Sequence, residues 1–291
     1  MTSRQQKASV PIREIYPAAT NGHHPVESWE SLDGVAVTED VYWAHYYDTA
    51  DVSYEWNNGI LEEKPVSDYR TVTIYRWFLM LLHAYLEVNP IAKLLLLETG
   101  FRLALPDKTT IRKPDLFVVR DDNPVPMQET DRSFRGICDL CVEALSDSTR
   151  AEAERDTVVK KQEYAQIGVK EYYILDWDER TAFYRRTPAG AYERIQPDAK
   201  GVLRSEVLPG FQFRVADLLT QPTPEDMAED PVYRHFVLLR FQAVKERAEV
   251  AEDRAEVAED RAAVAEDRAA AERLRAERYA AKLRELGIEE L

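Results

Sequence analysis

The chain is short of the residues that would mark it as a specialised scaffold. Two cysteines in 291 residues cannot build a disulfide framework. Ten glycines and 15 prolines argue against collagen-like or low-complexity sequence. Long apolar runs are missing too. The most apolar stretch, Trp77 to Leu97, is broken by Glu87, Asn89, Pro90 and Lys93, so it falls short of the roughly 18–20 residues a membrane span needs. Met1 to Val10 contain no apolar core of a secretory signal. These absences point to a soluble, cytoplasmic protein. Positive charge is also scarce: 38 Lys and Arg face 53 Asp and Glu, a formal net charge of −15. That balance argues against a protein that coats nucleic acid without specificity. It leaves room for an enzyme with a local basic groove. No glycine-rich phosphate loop is present, and Ser146 and Ser148 lack the Gly-x-Ser-x-Gly setting of an activated serine.

What the chain does have is 45% apolar residues, enough for a sizeable core. Residues 1–38 carry Pro11, Pro17, Pro25 and a polar Asn21-Gly22-His23-His24 run, and read as a mobile arm. A Tyr/Trp-rich helix is expected from about Val41 to Ala50. Tyr54 to Lys64 reads as two strands around Asn57-Asn58-Gly59, because Asn-Gly is a strong hairpin signal. Asp68 to Val88 reads as a helix whose buried face is Val72, Tyr75, Phe78, Leu79, Leu82 and Leu86. Asn89-Pro90 stops it. Strands are expected at 92–98, 101–105, 112–120, 137–145 and 170–176, then at 182–186 and 192–195. Thr149-x-x-Glu152 is a capping box that opens a helix running to Ile167, closed by Gly168. A short helix is expected at 215–219. This is an α/β pattern with a mixed sheet.

From Pro231 the character changes. Arg-Ala-Glu-Val-Ala-Glu-Asp occurs at 247 and 254 and returns with one substitution at 261. Ala248, Ala251, Ala255, Ala258, Ala262, Ala265 and Ala269 form a seam with 3-4 spacing, flanked by Val250, Val257 and Val264. A heptad with charged flanks reads as a coiled coil over 231–286, with self-association through 241–286 as a homodimer. The alternative is a long single helix held by Glu/Arg pairs.

Three features carry possible chemistry. Pro114-Asp115 puts an acid at the start of an apolar strand, where burial is costly unless the group faces a cleft or a metal. Val142-Glu143-Ala144-Leu145 puts a second acid inside another such strand. Asp156, Lys160 and Tyr164 follow at i, i+4, i+8, on one face of the next helix. Taken together they suit phosphodiester hydrolysis. Carboxylates bind Mg²⁺ through hard oxygens, the metal polarises phosphate and water, and an amine stabilises developing charge. Other candidates are weaker. Cys138-Asp139-Leu140-Cys141 has neither a second pair nor a nearby histidine, and strand residues three apart face opposite sides. Trp43, Tyr46, Tyr47, Trp56 and Tyr69 could stack on bases, but a core role is expected.

The order Tyr54-Glu55-x-x-Asn58-Gly59, Lys113-Pro114-Asp115-Leu116-Phe117-Val118-Val119, Val142-Glu143-Ala144-Leu145-Ser146, Asp156-x-x-x-Lys160-x-x-x-Tyr164 and Gly168-Val169-Lys170-Glu171-Tyr172-Tyr173-Ile174-Leu175-Asp176 resembles the Uma-two restriction endonuclease family of the PD-(D/E)XK nuclease superfamily. The resemblance covers about residues 40–215. It implies a restriction-endonuclease-like domain over 39–220, acting on DNA. It implies that Asp115 and Glu143 are metal ligands and that Glu55 completes the acid cluster around Mg²⁺ or Mn²⁺. Lys160 matches a catalytic lysine that has moved from the strand to the following helix. One departure is plain: a strict Glu-x-Lys motif would have lysine at 145, where this chain has Leu145. The competing reading is an inactive nuclease fold kept as a scaffold for the coil.

Overall fold

The computed structural model describes residues 31–285 apart from 97–98, 146–148 and 179. The chain divides into two compact units, one ending at Thr223 and the other starting at Pro224. Most of the expected arm, including His23-His24, lies outside the described residues. Its end does not behave as an arm. Gly34 N–H donates to Leu61 O and Val37 N–H to Gly59 O, which lays residues 34–37 along the second strand.

In the first unit, α1 (Glu39–His45) is capped by Thr38 and is shorter than the aromatic run suggests. β1 (Tyr54–Asn57) and β2 (Ile60–Glu63) form the expected hairpin. α2 (Tyr69–Val88) starts at Asp68, whose carboxylate accepts from Thr71 N–H. β3 (Ala92–Leu96), β4 (Phe101–Ala104), β5 (Thr109–Arg112) and β6 (Leu116–Arg120) follow. β7 is Leu140–Ala144. The crossover from β7 to β8 (Glu171–Leu175) holds α3 (Arg150–Glu154), a π-helical segment (Arg155–Lys160) and α4 (Lys161–Ile167). β9 (Ala182–Arg186), β10 (Tyr192–Arg194), β11 (Val202–Arg204), β12 (Gln212–Arg214) and α5 (Asp217–Thr220) complete the unit.

The main sheet runs β10-β9-β8-β7-β6-β3, with β7 and β8 parallel and its other pairs antiparallel. A smaller sheet runs β2-β1-β5-β4. The architecture is therefore the mixed α/β one expected. β7 and β8 are buried along their whole length, as a central parallel pair covered on both faces should be. Phe101, Phe117, Phe134, Leu145, Tyr164, Val169, Tyr172 and Ile174 form the core beside them. Each such side chain contributes roughly 1.5–3 kcal/mol on leaving water.

The sequence reading needs four corrections. The buried face of α2 is Thr71, Ile74, Trp77, Phe78, Leu81, Leu82 and Tyr85, and Val72 is exposed. The polar Arg76, His83 and Glu87 are exposed on the opposite side of the helix, and the stripe through Val72, Tyr75 and Leu79 is rotated off the buried one. Polar groups on the buried face find carbonyls: Thr71 Oγ1 donates to Leu145 O, Trp77 Nε1 to Pro222 O and Tyr85 OH to Pro209 O. Second, the strand expected at 112–120 is β6 alone; Arg112 ends β5, a strand of the smaller sheet that the expectation did not include. Third, the Cys138 and Cys141 thiols meet, with their sulfurs 3.0 Å apart. Cys138 precedes β7, so the alternation of a strand does not apply to it. Fourth, of the five aromatics, Tyr69 is exposed while Tyr46, Tyr47 and Trp56 are buried.

In the second unit, α6 (Pro224–Glu229) is followed by turns, and the long helix α7 spans Leu239–Glu285. It starts later than residue 231 because Leu238 takes a left-handed conformation (φ 51°) immediately before it. Val250, Val257 and Val264 are about half-exposed on this helix. Among the described residues, no helix is long and apolar enough to cross a membrane.

Candidate active site

The site lies where the chain leaves one sheet for the other. β5 ends at Arg112 in the smaller sheet, and β6 begins at Leu116 in the main one. Lys113-Pro114-Asp115 is the crossing. Gly100 permits it: a Cβ there would sit 2.7 Å from Arg112 O and 2.9 Å from Lys113 Cγ, closer than packed atoms come.

Asp115 follows the crossing directly. Leu116 pairs with Val142 across the β6–β7 ladder, so Asp115 and Glu143 are the next residues out on facing strands. Asp115 Oδ2 accepts from Ala144 N–H at 2.7 Å, which fixes its carboxylate beside Glu143. Like charges on neighbouring strands repel, so the pair needs cations. Two lysines supply them.

Lys160 comes from the crossover. Thr149 Oγ1 caps the helix start by accepting from Glu152 N–H, as the capping box predicts. Gly168 ends it with φ 103°, a conformation that glycine adopts without strain. Between them the π-helical segment is unexpected; such segments often accompany functional sites. It turns both Asp156 and Lys160 inward. Lys160 Nζ lies 3.0 Å from Glu143 Oε1, 3.1 Å from Glu55 Oε1 and 3.0 Å from Asp156 Oδ1. Tyr164 OH also donates to Glu143 Oε1, at 3.1 Å. Of the four expected site residues, Glu55 and Glu143 both meet Lys160, and Asp115 faces Glu143 across the ladder; Tyr164, read only as sharing the helical face of Lys160, joins them.

Lys64 is the second cation, and the sequence reading missed it. It follows β2, 3.1 Å from Asp115 Oδ1, and donates to Lys113 O at 2.5 Å. No motif singles it out. The only signal is its place directly after the hairpin that carries Glu55.

Glu55 departs from its expected part. Its side chain is wholly buried, and both oxygens are engaged. Oε1 accepts from Lys113 N–H at 2.8 Å and faces Lys160, while Oε2 accepts from Arg112 Nη1 at 3.0 Å. Arg112 is itself buried and also grips Glu62 and Glu163. Among the described residues, no three His, Cys, Asp or Glu side chains are spaced to hold a metal ion. The expected three-acid cluster of Glu55, Asp115 and Glu143 is therefore not assembled. Glu55 has turned away to anchor the two cations behind it.

The electrostatics follow from this packing. Burial works against ionised Glu55, yet Lys160, Arg112, Arg155 and Lys64 outweigh it and hold the carboxyl well below its usual range. Burial likewise opposes the Lys160 charge, but Asp156, Glu143 and Glu55 outweigh it and raise that amine. Glu143 goes the other way. Burial, reinforced by Asp156 and Asp115, outweighs Lys160 and Lys64 and pushes it up to about 8.

Hard oxygen ligands on Asp115 and Glu143 suit Mg²⁺ or Mn²⁺. Mg²⁺ is commonly held by one or two carboxylates, with waters and substrate phosphate completing its shell. Asp115, which is partly exposed, and Glu143 beside it offer such oxygens, whereas Glu55 is wholly buried between Lys160 and Arg112.

The chain matches the family model Uma2, described as "Putative restriction endonuclease", over residues 40–216. No curated protein matches it. Among solved structures it is similar to that of a putative nuclease belonging to DUF820 from Anabaena variabilis, at 19% identity and a TM-score of 0.50. The match covers 63% of this chain and 98% of that one, and shows a shared fold. The family model spans more than half of the sequence, and the chain belongs to the Uma2 family.

Proposed function

We propose that this protein is a metal-dependent endonuclease that hydrolyses DNA phosphodiester bonds. The observation that carries the reading is the Asp115–Glu143 pair, fixed side by side at the sheet crossing and flanked by two lysines. Membership of a restriction endonuclease family supports the same class of substrate. Asp115 and Glu143 would hold Mg²⁺, or Mn²⁺ in its place. Bound there, the ion would polarise a phosphoryl oxygen and lower the pKa of water.

The remaining roles belong to the chain. Lys160 Nζ donates to Glu143 Oε1 at 3.0 Å and is ion-paired with Glu55 and Asp156. Lys160 is therefore assigned as a positioning residue that fixes Glu143, rather than one that orients water. Tyr164 fixes the same carboxylate oxygen. Glu55 positions Lys160 and Arg112 in turn.

Purified protein with supercoiled plasmid and Mg²⁺ tests the reading. Nicked or linear product is expected, and EDTA should abolish it. The scaffold alternative draws on Leu145 and on the burial of Lys160 among three acids. It predicts neither cleavage nor metal binding.

Self-association through 241–286 is a further part of the proposal. With the alanine seam at a and d, Arg247, Arg254 and Arg261 fall at g, and Glu252, Glu259 and Glu266 at e. In a parallel pair each g residue faces the e residue five positions on, so arginine meets glutamate. An antiparallel pair would set arginine against arginine. A parallel homodimer is the expected state. Sedimentation equilibrium of the full chain should give twice the 33.5 kDa protomer mass; a protomer mass throughout the micromolar range would exclude it.

A further inference from the structure

We propose that Lys64 is a catalytic residue that binds a non-bridging oxygen of the scissile phosphate, an inference that rests on the nuclease reading above. Exposure separates the two lysines. The side chains of Lys160, Glu143 and Glu55 are 2%, 2% and 0% exposed, whereas Lys64 and Asp115 are 13% and 20% exposed. A phosphate entering from solvent meets Asp115 and Lys64 first.

Donor count points the same way. Lys160 is surrounded by three carboxylates. Lys64 directs one N–H to Lys113 O and one to Asp115 Oδ1, and an ammonium has three. Among the described residues that leaves one donor for substrate.

Placement is the third argument. Lys64 N–H donates to Ser53 O at 2.9 Å, which ties its backbone to the start of the hairpin. The backbone oxygen of Lys113 then holds the amine beside Asp115. Its direction is set before substrate arrives, as electrostatic catalysis requires. Leu145 stands where a strict Glu-x-Lys motif has its lysine; in this chain the hairpin brings an amine to Asp115.

The test compares wild type, Lys64→Gln and Lys64→Arg in two assays. Binding of a fluorescein-labelled duplex is followed by anisotropy in Ca²⁺ over a salt series, and plasmid cleavage is followed in Mg²⁺. Loss of one phosphate contact should lower the slope of log affinity against log salt by about 0.9. Cleavage by Lys64→Gln should fall about 100-fold. Lys64→Arg, which keeps the charge, should retain the salt slope. If wild type cleaves and Lys64→Gln matches it in both slope and rate, the Lys64 role is overturned and the nuclease reading stands. If wild type binds without cleaving and Lys64→Gln loses slope, the phosphate contact is supported and the nuclease reading fails. If wild type neither binds nor cleaves, both are overturned.

Discussion

Lys160→Met is expected to destabilise the protein by about 3–5 kcal/mol, because it strips the shared cation from buried acids. Glu55, Glu143 and Asp156 all lie within 3.1 Å of the Lys160 amine, and none of the three is more than 11% exposed. Methionine matches the lysine stem in length, so packing is nearly conserved and the effect reports charge. Urea denaturation at neutral pH reads it as a lower midpoint. The pH dependence has a definite sign. Lys160 is the largest of the charges that hold Glu55 below the usual carboxylate range, and the stability this gives is lost as pH falls through that range. The deficit of the variant is therefore smallest in acid and grows as pH rises through the carboxylate range. The double variant Lys160→Met/Glu55→Gln should recover part of the loss, since one of the repelling charges is gone. A deficit below about 1 kcal/mol, the size of an exposed ion pair, would show that the amine is not where the structure places it.

Asp115→Asn should give the opposite combination: a large loss of cleavage with little loss of fold. Outer partners of metal ligands cost about 10–100-fold when removed, and a ligand itself should cost at least about 100-fold. Stability should change by no more than about 1–2 kcal/mol, the scale of one hydrogen bond. Asparagine keeps an oxygen for Ala144 N–H, and Asp115 is partly exposed. The variant should therefore unfold close to wild type and leave plasmid intact. Cleavage at the wild-type rate would remove Asp115 from the chemistry.

How much of this was legible depended on whether local signals matched the packing. Asn58-Gly59 gave the hairpin, Asp68 and Thr149 gave helix starts, and Gly168 gave an end, because capping and turn chemistry are short-range. Asp115, Glu143 and Lys160 stood out because charged groups in apolar strands or at helical spacing are costly without a use. Glu55 was found, but not its task, since the Arg112 that engages it lies more than fifty residues away. β5, with its Thr109-Thr110 start, carries little apolar alternation and was missed, its last residue Arg112 being given to the next strand. The π-helical segment has no signal in residue types, and Lys64 had none beyond its neighbours. The face of α2 was misread by a rotation: the exposed Arg76, His83 and Glu87 mark its outer side, and the buried face opposite them sets Thr71, Tyr85 and Trp77 against carbonyls at 145, 209 and 222.

The central claim is that Asp115 and Glu143 together hold a divalent cation. Calorimetric titration of Mn²⁺ into wild type and Asp115→Asn tests it most directly. Saturable binding by wild type that is lost or weakened at least about tenfold in the variant is the predicted result. Equal binding by both proteins, or none by wild type, would contradict it.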